Sequence, residues 1–361
     1  VTGIQIFKDS PFVKPEQGLC PVTDAARMIG AGRVLLLAGT EEDLANLPQG
    51  RWIGGTAGHF LTPQGCVPAG GVVFYIDFTA LAAAASWRSF GAEDVHQLAG
   101  HYPENGFAIL ILPGFSQLLG QVAGSIMEFD GLYNLPLMGW VSSVPLGSLP
   151  AAAPQARPKI FAGGPVAQAE RAAVLYVTLA PQYFAQLQIA NLFAPGDGPE
   201  IRFPQPGQII DGDCLIGGVR RNLARYMAEA EIDQRLPLVA DHEGALLNVA
   251  ILQSEPQSGR VTLLGPVSPA LTYRFAAEVP EYEAAFSHAA AEIVLEQAAH
   301  ACICVLHYHY AGLTQPDGGA GPALGITAPV TFGQIAYTVL NQTLSCLTIS
   351  QVEDGMEEMR P

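Results

Sequence analysis

Short, uninterrupted apolar runs punctuated by glycine and proline restrict this chain more than any other feature. Val34-Leu35-Leu36-Leu37 follows the turn Gly30-Ala31-Gly32, and Val72-Val73-Phe74-Tyr75-Ile76 follows Gly70-Gly71. Ala108-Ile109-Leu110-Ile111-Leu112 runs into Pro113-Gly114, and Ala173-Val174-Leu175-Tyr176-Val177 forms a fourth run. Apolar runs of this length with no polar alternation belong to strands covered on both faces. The expected fold class is therefore α/β (α+β), with two lobes of mixed β-sheets flanked by helices.

Helices are expected over 24–29, 41–47, 78–90 (Ala-rich), 117–129, 219–231 and 281–299. The last opens after Pro280 with acidic residues, as the helix dipole favours. Further strands are expected over 246–252, 261–264, 302–309 and 335–349. The order strand, helix, Gly-rich turn, strand occurs once in 34–76. It recurs in 108–177, with Leu137-Met138-Gly139-Trp140 in place of the Gly-Gly turn and Ile160-Phe161-Ala162-Gly163-Gly164 before the last strand. This reads as a divergent internal duplication in the N-terminal lobe. Residues 148–158 read as a Pro/Ala loop. The stretch Ala194-Pro195-Gly196-Asp197-Gly198-Pro199 marks the expected boundary between lobes 1–195 and 196–361.

Composition excludes several partners. The 17 basic and 33 acidic residues give a net charge of −16, which repels phosphate backbones and anionic lipid, so neither nucleic acid nor membrane is expected. The apolar stretch 107–127 is broken by Pro113-Gly114, which a bilayer would leave unsatisfied. Only 14% of residues are charged, so much surface is uncharged, and homo-oligomer burial is one outlet for it. No signal peptide is legible at Val1-Thr2-Gly3-Ile4. The six cysteines (Cys20, Cys66, Cys214, Cys302, Cys304, Cys346) contain no C-x-x-C pair and suit a reducing, cytoplasmic setting.

Leu324-Gly325-Ile326-Thr327-Ala328-Pro329-Val330-Thr331-Phe332-Gly333-Gln334-Ile335, followed by Leu340-Asn341-Gln342-Thr343-Leu344, resembles the terminal signature of the FIST family of intracellular sensor domains. Ile53-Gly54-Gly55-Thr56-Ala57-Gly58 and Pro136-Leu137-Met138-Gly139-Trp140 are similar to that family's N-terminal region. Gln334 stands where the family has Glu, and Val305-Leu306-His307-Tyr308-His309 stands where it has Phe-Ser-Cys. The resemblance spans 23–350. It implies a small-ligand sensor, with amino acids the usual suggestion, acting in signal transduction through a separate partner.

The residues themselves suggest where a small anionic or zwitterionic metabolite would bind. Gly54, Gly55, Thr56 and Gly58 could present main-chain N–H groups as a nest, a plain tight turn being the alternative. Gly217 and Gly218 precede Arg220 and Arg221 at an expected helix start, which suits an anion; a solvated basic face is the bland reading. His307 and His309, two apart on an expected strand, share one face as lining residues, without a third ligand to make a metal site. Tyr337, Asn341 and Thr343 are read as polar strand residues lining a pocket. No catalytic residue, metal or cofactor is expected, Gly-x-Ser-x-Gly and Gly-x-Gly-x-x-Gly both being absent. Three rival functions remain: a hydrolase or transferase using Cys304, His307 or His309 in an interlobe cleft, a metal-dependent enzyme, and a scaffold without ligand.

Overall fold

The computed structural model describes residues 11–145, 157–242, 244–310 and 324–351. Its frame is two facing sheets. The first has the order β1 (Glu16–Pro21), β6 (Val72–Asp77), β2 (Leu35–Gly39), β3 (Trp52–Thr56), β10 (Ile160–Ala162). The second runs β7 (Ala82–Phe90), β11 (Ala172–Leu179), β8 (Gly106–Pro113), β9 (Leu137–Ser142), then the strands Gly333–Ala336 and Thr338–Leu340.

The two sheets share one pattern. β2 is parallel to β3, and antiparallel β6 lies on its other side with β1 beyond. β8 is parallel to β9, and antiparallel β11 lies on its other side with β7 beyond. Each parallel pair is joined by a helical crossover, through α2 (Glu41–Ala45) in the first sheet and α3 (Gln117–Ser125) in the second. The two halves exchange their closing edges, however. β10 pairs with β3 of the first sheet, and the equivalent place beside β9 is filled by Gly333–Ala336 from far down the chain.

Strand alternation builds a four-layer stack. Leu36, Ala38, Ile53, Phe74 and Ile76 point inward against Ile109, Ile111, Met138, Trp140 and Leu175 of the second sheet. The alternate residues Leu35, Leu37 and Trp52 pack outward on Ala25 and Ile29 of α1 (Val22–Gly30) and on Leu44 of α2. Leu110, Leu112 and Val174 pack outward on Leu118, Leu119 and Val122 of α3. Both faces of the expected runs are thus covered, each fully buried Leu, Ile or Phe contributing about 1.5–3 kcal/mol.

Several expectations are corrected. The Ala-rich 82–90 stretch is strand β7, because buried β11 needs a partner on that side and Ala85 and Trp87 alternate inward; tertiary pairing overrides alanine's helix preference. Residues 302–309 are a short strand Ile303–Cys304 turning directly into helix Val305–Tyr310. The expected helix 219–231 is strand Val219–Asn222 followed by helix Leu223–Glu229, capped by the Asn222 side chain. Its C-terminal neighbour at 281–299 shortens to Tyr282–Glu292. The closing strand 335–349 is three strands, broken where Tyr337 (φ 58°) and Gln342 (φ 44°) turn left-handed. The loop expected at 148–158 falls mostly outside the described residues.

A division of the chain at 195/196 does not divide the sheets. Ala328–Thr331 pairs with strand His59–Thr62, and Thr343–Gln351 pairs along its length with Tyr183–Asn191. The part with sheets of its own is an insert of short strands between Ile201 and Phe275. Its two ends are clasped at the Pro195–Ala276 bridge. Of the described helices, none is long and apolar enough to cross a membrane.

At Gly55 the two sheets pack tightly against each other. A Cβ there would lie 2.8 Å from Ile111 Cγ2 and 2.9 Å from Trp140 Nε1. Gly55→Ala is therefore expected to destabilise the protein by roughly 1–3 kcal/mol through overpacking, seen as a lower urea midpoint at unchanged slope. An unchanged midpoint would show that the sheets can part there at no cost.

Candidate functional site

The sites suggested by glycine fall apart once their backbones are traced. Gly54 and Gly55 lie inside strand β3, bonded on both edges to β2 and β10, so they form no turn. Thr56 is equally engaged. Its N–H donates to Lys159 O at 2.9 Å, its Oγ1 accepts from Lys159 N at 2.9 Å, and its carbonyl accepts from Ser143 N at 2.8 Å. Gly58 N–H reaches Ser143 Oγ at 3.4 Å, and a Cβ on Gly58 would sit 2.5 Å from Pro145 N. These glycines admit a neighbouring segment of the same chain rather than a ligand.

Gly217 (φ 58°) and Gly218 (φ 81°) form the tip of a β-hairpin instead of a helix start. Two consecutive left-handed residues are what a tight hairpin turn requires. Arg220 is exposed beside that tip, while Arg221 pairs with Glu229 and lies 4.7 Å over the Tyr226 ring. Both arginines thus lie on the insert, where Arg221 is held by the insert's own side chains.

His307 is buried on a helix. Its Nδ1 shares a hydrogen bond with the Tyr282 hydroxyl and its ring lies 4.9 Å from that of Phe286. The backbone of His309 is on the same helix, and its side chain lies outside the described residues. Burial holds the His307 pKa down at about 4, with the Thr343 main chain acting weakly the other way. Burial likewise pushes the Cys304 thiol up, partly offset by the main chain of Gln342, Leu306 and His307. A thiol kept protonated in an apolar interior is a poor nucleophile. Among the described residues no group of three His, Cys, Asp or Glu side chains is placed to hold a metal.

The polar strand residues fare better. Asn341 Nδ2 donates to Phe332 O at 3.0 Å, and Ala250 N–H reaches Asn341 Oδ1 at 3.4 Å. Thr343 Oγ1 donates to Asn341 O, and Gln342 Nε2 donates to Arg235 O. Asn248 exchanges amide bonds with Asn191 at 2.8 and 2.9 Å and also donates to Gln342 O. Asn341-Gln342-Thr343 thus lashes the insert onto the two-sheet frame.

Beside this lashing a cleft of about 400 Å³ opens where three parts of the chain meet. Glu128 and Tyr133 come from the turns after α3; His242, Asn248, Ser268 and Tyr273 from the insert; Thr338 and Asn341 from the closing strands. The Tyr337 ring stacks 5.1 Å from that of Tyr133 at its rim. Tyr273 is buried, and its hydroxyl accepts from Ser268 N–H at 2.9 Å, leaving the hydroxyl proton free to donate. Volume and position match a small-molecule site, which typically occupies roughly 300–1,000 Å³ between structural units. Among the described residues no Lys or Arg lines it. A larger hollow of about 700 Å³ near Tyr282 carries Asp233, Glu278, Glu281 and Glu283 against Arg235, itself paired with Asp233 at 2.6 Å, and so repels carboxylates.

Of the residues expected to bind ligand, only Asn341 lines this cleft, with Tyr337 adjoining. Tyr133, His242, Ser268, Tyr273 and Thr338 carried no local signal, because they sit on separate segments that only the tertiary fold unites.

The model of one protein family, described only as a family of unknown function (DUF6976), matches residues 20–350. The chain belongs to DUF6976. No curated protein and no solved structure matches it. The DUF6976 match takes in both sheets, the insert and every residue of the cleft.

Burial of His307 sets an acid limit. The unfolded chain takes up that proton near the ordinary value of 6.5, whereas the folded chain resists it down to about 4. Below pH 6.5 the unfolded state binds more protons, so stability falls with acid. The urea midpoint is expected to drop already between pH 6.5 and roughly 5, above the range of most carboxylates. The drop should be shallower in His307→Leu, and equal slopes would mean His307 is not held neutral.

Proposed function

We propose that this chain is a small-ligand-binding sensor, and that its ligand is a zwitterionic or neutral polar metabolite of amino-acid size held in the cleft between frame and insert. The observation that carries this reading is the cleft's chemistry. Hydroxyls of Tyr273, Ser268 and Thr338 can donate to a carboxylate, and Glu128 offers a counter-charge to an ammonium. A purely anionic metabolite is disfavoured, because among the described residues no guanidinium or ammonium faces the space. Binding at such a junction would favour one seating of the insert over others, which is how a ligand becomes a signal for a separate partner.

The resemblance of the sequence to the FIST family, which implies a small-ligand sensor, rests in part on the Asn341-Gln342-Thr343 run, of which Asn341 lines the cleft. A cytoplasmic setting suits the six free cysteines, one of them, Cys66, exposed. The buried, protonated Cys304 gives the hydrolase or transferase reading no support.

The test is a thermal-shift and calorimetric titration against the free amino acids and matched carboxylates lacking the ammonium. A zwitterion is expected to raise the melting temperature, its deaminated analogue to bind more weakly, and Thr338→Val to weaken binding about ten-fold, or about 1.4 kcal/mol. The proposal fails if no panel member shifts the intact protein, or if binding is unaffected by Thr338→Val and Tyr133→Ala together.

A further inference from the structure

Between the two sheets lies a second polar locus, independent of the cleft. Trp140, His300 and Gln334 are each fully buried, with relative exposures of 0%. Trp140 Nε1, both His300 ring nitrogens and Gln334 Oε1 have no protein partner. They are also neighbours. Gln334 lies directly opposite Trp140 across the β9 pairing, so the two side chains leave the sheet on the same face. The His300 ring is 5.4 Å from the Trp140 ring, and Gln334 Nε2 reaches the carbonyl of Cys302, two residues beyond His300, at 3.4 Å. That contact fixes the amide orientation: the nitrogen faces an acceptor, so the oxygen is the free end.

The unmet groups are complementary to one small molecule. Trp140 offers an N–H, Gln334 offers a carbonyl oxygen, and a neutral imidazole offers one N–H and one lone pair. A water molecule meets three of these groups at once, accepting from the Trp140 N–H, donating to Gln334 Oε1 and bonding one His300 nitrogen, since the two ring nitrogens point apart and only one can face it. Burial keeps His300 neutral, holding its pKa at about 3, so no counter-ion is called for. The indole N–H edge packs against Gly55, where even a Cβ would overlap, so the water lies on the His300 and Gln334 side of the ring. Buried polar groups are nearly always paired with protein or ordered water, and buried waters typically make about three such bonds.

We infer that Trp140, His300 and Gln334 form a built internal site for a single bound water that bridges strands β9, Gly333–Ala336 and His300–Ala301. The water is a structural ligand that ties the exchanged C-terminal edge to the second sheet. Its class is fixed by the donors and acceptors: uncharged, able to give and accept, and small enough to lie between packed sheets.

The experiment is a crystal structure of the full chain at a resolution that shows ordered water, with magnetic relaxation dispersion of water oxygen-17 in solution. One isolated peak is expected about 3 Å from Trp140 Nε1, Gln334 Oε1 and a His300 nitrogen. Gln334→Met should lower the count of long-lived waters by about one. The inference is overturned if the three side chains bond one another directly, if no peak lies among them, or if the peak extends into a larger molecule. Should Gln334→Met not fold, the wild-type peak decides alone.

Discussion

The approach of the two sheets at Gly55 and Trp140 is the constraint on which the remaining architecture depends. An indole edge can lie against a neighbouring strand only where that strand carries no Cβ, and Gly55 supplies the opening. With the inner faces joined there, Leu36, Ile53, Ile109 and Met138 form one shared layer and both outer faces turn to helices. The core is therefore a laminate of four layers, and the insert can attach only at its margin. Its attachment adds polar bonds through Asn248, Asn341 and Gln342 to the apolar packing of Ala250 and Leu264 on α3. A polar joint beside an apolar one is a reasonable place for a ligand-sized opening, since hydrogen-bonding groups stay available at its walls.

Much of the frame was legible in the sequence because continuous apolar runs have few alternatives. Val34–Leu37, Val72–Ile76, Ala108–Leu112 and Ala173–Val177 all lie in buried strands, and the repeated order of strands marks two matching sheets. Elements at the margin were harder to read. Alanines at 82–85 carry a helical preference of only tenths of a kcal/mol each, less than an unpaired flank of β11 would cost. The helix at Val305–Tyr310 was hidden because Val305, Leu306 and His307 fit either state over so short a span.

The candidate site was less legible, for a physical reason visible at Gly54 and Gly55. Absence of a side chain lets something approach the backbone closely, and the sequence does not say whether that is a metabolite or another strand. Here it is a strand. Arg221, scarce as arginine is in this chain, is likewise engaged by the insert's own Glu229 and Tyr226. Asn341 was legible because an Asn-Gln-Thr run between apolar segments demands partners, one of which, Asn248, lines the cleft with it.

The exchanged edge has a consequence for how the protein is made. β9 emerges from the ribosome with Leu137, Met138, Trp140 and Val141 on a strand whose outer flank waits for Gly333–Ala336. At synthesis rates of about 5–20 residues per second, that flank stays bare for on the order of 10–40 s. A bare apolar flank of this kind is a template for pairing with other chains. Nascent and prematurely terminated chains are thus the species most open to pairing with other chains.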